Sequence, residues 1–182
     1  MLRRLAAELR ARILGQIQKE SKDALLLQGR IASWLVRSKE TITSLRDVEF
    51  KVLSQFGEDG IIDWIIERSQ IPDRLHSFIE FGVELYEEAN TRFLLENRNW
   101  RGLIIDANSQ LETKVRNSPL AWRHTLQAKS AFITRENINQ VFAHSERKER
   151  WLRCGLCSAL YCAQGRICLS TDPRRYCTVS VV

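Results

Sequence analysis

Apolar positions fall into two regimes along this chain, a long stretch of helical spacing and then a series of short blocks. In the first regime Leu2, Leu5, Leu9, Ile13 and Ile17 recur every three or four residues, which places them on one stripe of a helix with arginines around it. A second helical run, Leu27, Ile31, Trp34 and Leu35, is expected after an interruption near Gly29. The blocks begin where Ser54-Gln55-Phe56-Gly57-Glu58-Asp59-Gly60 leads into Ile61, Ile62, Trp64, Ile65 and Ile66. That is a helix whose first turn carries carboxylates where its dipole favours them, closed by Pro72-Asp73. Phe78-Ile79-Glu80-Phe81 reads as a strand stopping at Gly82, followed by a polar loop from Glu84 and a helix through Phe93, Leu94 and Leu95 capped by Asn90. Gly102-Leu103-Ile104-Ile105 reads as a strand ending at Asp106, with a polar helix through Leu111 and Val115 behind it. A third strand is expected around Leu126 to Ala131, and Thr134 starts a helix over Ile138, Val141 and Phe142. Apolar runs this short, separated by helices, predict a parallel sheet covered by helices, an α/β fold.

Composition narrows the class. The chain has 182 residues, 44% hydrophobic and 27% charged, with 8 Gly and 3 Pro, which fits one packed domain plus an appendage. No apolar run approaches the roughly 18 to 20 residues a bilayer span needs. The net charge of +6 is unevenly spread. Residues 1–46 carry 10 Lys/Arg against 4 Asp/Glu, residues 47–145 carry 11 against 15, and residues 146–182 carry 7 against 3. The body is therefore acidic, which disfavours nucleic acid as a partner. The basic first piece is expected to pack as a helical extension on its own domain or a partner helix; the other readings are a membrane-surface helix and a cleaved targeting segment. Nothing at the start reads as a secretory signal, because Glu8, Arg10 and Arg12 break the apolar run, so a cytoplasmic location is expected.

Candidate chemistry sits at the strand ends. In open parallel sheets ligands bind outside the carboxyl ends of the strands, where Glu80, Gly82, Glu84 and Asp106 would lie. A nucleotide-like cofactor needs a glycine turn for close backbone approach and a carboxylate at the next strand end for its ribose. Gly82 and Asp106 are 24 residues apart, near the roughly 20 usual for such a pair. The plain alternative is that Gly82 only makes a turn and Asp106 only caps the next helix. His76, His124 and His144 read as surface or capping residues, and Trp64, Trp100 and Trp122 as packing residues.

Three stretches, SQFGEDG (Ser54 to Gly60), FIEFGVELYEEANTRFLLE (Phe78 to Glu96) and NWRGLIIDAN (Asn99 to Asn108), resemble motif blocks of the FkbM-type methyltransferase family. The blocks are S-Q-x-G-E-D, E-x-G-x-x-x-x-x-S-N-T and W-x-G-(apolar)-(acidic), in the same order, and the resemblance covers roughly residues 50–140. It implies a Rossmann-like fold that binds S-adenosylmethionine and transfers its methyl group, in many members to a sugar or other hydroxyl. Carried over by position, it assigns Glu80 and Gly82 to the cofactor turn and Asp106 to the ribose. Asn90 and Thr91 match the N-T pair, and Gln55, Glu58 and Asp59 match the entrance block. Glu58, Asp59 or Glu84 would meet the cofactor's cationic groups, since negative charge suits a sulfonium and not a pyrophosphate. Such sheets have about seven strands and this region supplies about three, so an incomplete, inactive domain is one expectation. A non-enzymatic interaction or assembly protein working through the N-terminal helices is the alternative function.

After His144 the composition changes abruptly. All five cysteines, Cys154, Cys157, Cys162, Cys168 and Cys177, lie in the last 29 residues. The preferred reading is a reading frame disturbed near residues 145–150, so that residues 146–182 are a frame-disrupted or disordered tail and not an evolved sequence; an ordinary divergent tail is the alternative. The C-x-x-C of Cys154 and Cys157, with Cys162 and Cys168, also allows a zinc site, and the same pair allows a redox dithiol.

Overall fold

In the computed structural model, which describes residues 2–134, 136–143 and 156–158, four strands lie side by side. They are β1 (Ser77–Phe81), β2 (Arg101–Asp106), β3 (Leu126–Ser130) and the short β4 (Leu156–Ser158), in the order β3-β2-β1-β4, with every pairing parallel. The register sets Phe81 against Ile105 and Asp106 against Ser130, so the carboxyl ends of the three longer strands finish together. The first three strands stand where the apolar blocks predict them. Beyond these three, β4 joins the sheet from the stretch after His144. Leu156-Cys157-Ser158 is too short to show periodicity, and only its ladder with Phe78 to Glu80 makes it a strand. Cys157 lies in that strand, whereas Cys154, Cys162, Cys168 and Cys177 fall outside the described residues.

Both faces of the central strands are covered, which is why β1 and β2 read as nearly unbroken apolar runs. Phe78 and Ile104 point to one face, where they pack with Ile62 and Ile66 of α2 (Glu58–Ser69). Leu94 and Leu95 of α3 (Arg92–Arg98), Trp100, and Leu111 and Val115 of α4 (Leu111–Arg116) complete that layer. A short α5 (Leu120–Arg123) follows α4. Ile79, Leu103 and Ile105 point to the other face, against Ala131, Ile133 and Val141 of α6 (Ile138–Ala143). Thr134 precedes α6 as expected: its hydroxyl accepts from Asn137 N at 3.3 Å, and its own N–H donates to Asn137 Oδ1 at 2.8 Å. Trp100 is buried as expected, but Trp122 is 75% exposed on α5, outside the core, with the Arg123 guanidinium 5.1 Å from its ring centre.

The N-terminal piece is a single helix, α1 (Leu2–Arg37), without the break expected at Gly29. A β-carbon at Gly29 would come within 2.5 Å of the Val52 side chain and 2.9 Å of Phe93. Gly29 is therefore the place where α1 touches the body, and that contact offsets a helix cost of about 1 kcal/mol. Asp63 fastens the same face. Its carboxylate accepts from Ser33 of α1 and, at 2.6 Å, from Arg98 of α3, while Arg37 lies 3.8 Å away. Among the described residues, no helix is long and apolar enough to cross a membrane.

Candidate functional site at the strand tips

Strands β1 and β2 end side by side, and Gly82 N–H donates to Ile105 O at 3.0 Å as the chain leaves the sheet. Gly82 then takes φ +70°, open to glycine at no steric cost. Glu84 (φ +50°) and Tyr86 (φ +59°) adopt the same left-handed region with side chains that pay on the order of 1 kcal/mol each for it. Such local strain persists only where neighbouring contacts hold it. Here Asp106 supplies one of them, its Oδ2 accepting from Glu84 N at 2.8 Å while Oδ1 accepts from Asn108 N at 2.7 Å. Tyr86 is buried, with its hydroxyl 3.2 Å from Thr91 Oγ1. Arg92 clamps the loop by donating to Tyr86 O at 2.6 Å and Glu87 O at 2.8 Å. Gly82 and Asp106 are thus brought together through the Glu84 amide. The carboxylate of Asp106 has about four acceptor positions, and the two amide bonds leave capacity for further donors.

Glu80 sits one layer deeper. Its Oε1 accepts from Asn90 N at 3.0 Å, and its Oε2 accepts from Thr91 N at 3.1 Å and from the Thr91 hydroxyl. The carboxylate thereby caps α3 from the neighbouring strand, which corrects the expectation that Asn90 would cap that helix. Thr91 stands at the N-cap position, and no side chain of its own bonds the first turn. Burial pushes the Glu80 carboxyl up to about 6; the bonds from Thr91 and Asn90 pull the other way, and nearby Asp59 pushes further up. Glu80 has no solvent-facing edge, being 3% exposed.

The entrance block is also largely self-contained. Asp59 Oδ2 accepts from three successive amides, Val52 N and Leu53 N at 2.7 Å and Ser54 N at 2.9 Å. Its Oδ1 has no partner among the described residues. Burial raises the Asp59 carboxyl against the lowering effect of the amides and the Ser54 hydroxyl. Glu58 accepts from Phe56 N at 2.9 Å, Gln55 is exposed, and Ala89 N donates to Leu53 O at 2.9 Å, which ties the block to the loop after β1. Of the acidic residues expected to face a cationic ligand, Glu84 is exposed and Glu58 half-buried, whereas Asp59 lies in the interior.

Sequence reasoning missed the clamp residues Tyr86 and Arg92. The available signal was Arg92 itself, a cation just before the apolar Phe93-Leu94-Leu95 with Glu96 one turn on; the two pair at 2.8 Å. A cavity of about 510 Å³ lies beside the same loop, between Lys22 and Leu25 of α1, Leu85 to Glu88, Arg92 and Val115; neither Gly82 nor Asp106 lines it. His76 stacks on Trp100 at 4.7 Å, and His124 lies 2.9 Å from Asn99 Oδ1. Both precede strands, at the end of the sheet away from the tips; His144 lies outside the described residues. Among the described residues no group of three or more His, Cys, Asp or Glu could hold a metal ion. No protein-family model, curated protein or solved structure matches the chain.

Proposed function

We propose that the α/β body is a Rossmann-like S-adenosylmethionine-binding unit for methyl transfer, with a sugar or other hydroxyl as acceptor. The observation that carries this reading is the junction of the β1 and β2 tips, where Asp106 reaches across to the strained turn after Gly82. The strand order supports it, because β4 lies on the opposite side of β1 from β2 and β3. The tip of β1 is therefore the point where connections diverge to opposite sides, which is where such sheets hold nucleotides.

The residues suit the cofactor's chemistry. Asp106 retains acceptor positions for two ribose hydroxyls, and Gly82 admits a close backbone approach. Glu84, beside Asp106, and Glu58 of the entrance block would supply the negative charge that a sulfonium and an amino group call for. Glu80, Asn90 and Thr91 act at one remove, fixing where the loop returns to α3. When bound, the cofactor supplies an electrophilic methyl group. The chain's own task is orientation, holding an acceptor oxygen in line with that carbon, which needs positioning more than a single catalytic base.

Calorimetric titration of the folded protein with S-adenosylmethionine tests this. Saturable binding is expected, with a loss of tenfold or more in Asp106→Asn, which keeps one oxygen for the Glu84 amide. Folded protein that shows no binding would overturn the reading and favour a non-enzymatic assembly protein built on α1.

A further inference from the structure

We propose that α1 docks through its outward face onto an anionic bilayer surface, lying along it without crossing. At 1.5 Å per residue the 36 residues of this helix extend about 54 Å, well beyond what the body covers. The face toward the body holds Gly29, Ser33 and Val36, all buried. Helical spacing puts Leu9, Ile13, Ile17, Leu27, Ile31, Trp34 and Leu35 on the opposite side, and each of them is more than half exposed. Gln16 and Glu20, bonded to each other at 2.7 Å, divide this stripe into two apolar patches.

The charges beside the stripe select its occupant. Residues 2–37 contain eight Lys/Arg against three Asp/Glu. Exposed Arg12 and Arg30 line one border and exposed Arg10 the other, with Glu20 and Asp23 as the acidic exceptions at the break. A second copy packed on this stripe would set arginine rows against each other, where a helix pair needs complementary flanks. A surface of anionic headgroups complements both borders at once while the apolar stripe enters the acyl boundary. Trp34, at the end of the second patch, belongs to the residue type that settles at that depth.

Co-sedimentation of the whole protein with vesicles decides the matter, using phosphatidylcholine alone and phosphatidylcholine mixed with phosphatidylserine. Binding is expected to the mixed vesicles, to weaken with added salt, and to fall about tenfold or more in an Arg10→Glu, Arg12→Glu variant. An Ile13→Asp, Ile31→Asp variant should also lose binding, with an unchanged thermal melt because both side chains are exposed. Equal binding to neutral vesicles, no binding to either, or a salt-resistant dimer in ultracentrifugation that the aspartate variant dissociates would each overturn the proposal.

Discussion

Asp59 and Glu80 on one side and Asp106 on the other show how burial divides carboxylates of similar sequence setting into different tasks. Each accepts backbone amides, and each lies in a block that reads as a cofactor motif. Asp59 and Glu80 are almost wholly buried, and what they bind is the protein's own chain. Asp106 holds a loop in the same way but stays half-buried at the sheet edge, with acceptor positions to spare. A motif carboxylate whose lone pairs are all buried is spent on folding, whereas one whose remaining lone pairs reach solvent stays open to the ligand proposed above. The comparison also separates the first layer of the tip, Gly82, Glu84 and Asp106, from the layer beneath that keeps it in place.

The sharpest way to break this division is Asp59→Ala, which strands three buried amides at once. At about 1 kcal/mol or more for each unsatisfied group, a loss of about 3 kcal/mol or more is expected in chemical denaturation. Asp59→Asn, which keeps an acceptor oxygen, should recover part of it.

Glu80 allows a test by pH. Its folded value of about 6 lies above the ordinary 4.5, so the folded protein holds the proton more tightly than the unfolded chain. Its contribution to stability is therefore fully present below about 4.5 and is lost as pH rises through about 6. At roughly 1.4 kcal/mol per unit, the decline amounts to about 2 kcal/mol. Denaturation curves across this window should show a steeper slope in the parent than in Glu80→Gln, where the raised Asp59 carboxyl leaves a remainder of the same sign; an identical slope in both would remove Glu80 as a source. Asp106→Asn should do the reverse, changing stability by about 1 kcal/mol or less while weakening S-adenosylmethionine binding about tenfold or more. The smallest effect is expected for Glu84→Gly, which relieves a left-handed side chain and should stabilise by up to about 1 kcal/mol, read as a rise in melting temperature.

Much of the strand layer was legible in the chain. Phe78 to Phe81, Glu80 apart, and Gly102 to Ile105 are apolar because both faces of these strands are buried, and that requirement is written locally. Gly82 and Asp106 were legible as strand ends for the same reason. The buried fate of Asp59 and Glu80 was not, since their partners are amides from segments five to eleven residues away whose approach depends on the packed loop. Gly29 misled in the other direction. Within a helix it reads as a breaker, and its use as a contact point depends on Val52 and Phe93, far off in sequence.

The sequence by itself determined periodicity, the positions of the three longer strands, and the segregation of positive charge to the ends. These depend on neighbours within a few residues. Only the tertiary structure decided that α1 runs unbroken against Val52 and Phe93, that Leu156 to Ser158 adds a strand beside β1, and that Glu80 caps α3 while Asp106 remains open. Each of those outcomes rests on close approach between distant segments, where excluded volume and the need to satisfy buried amides choose among alternatives that local pattern leaves equal.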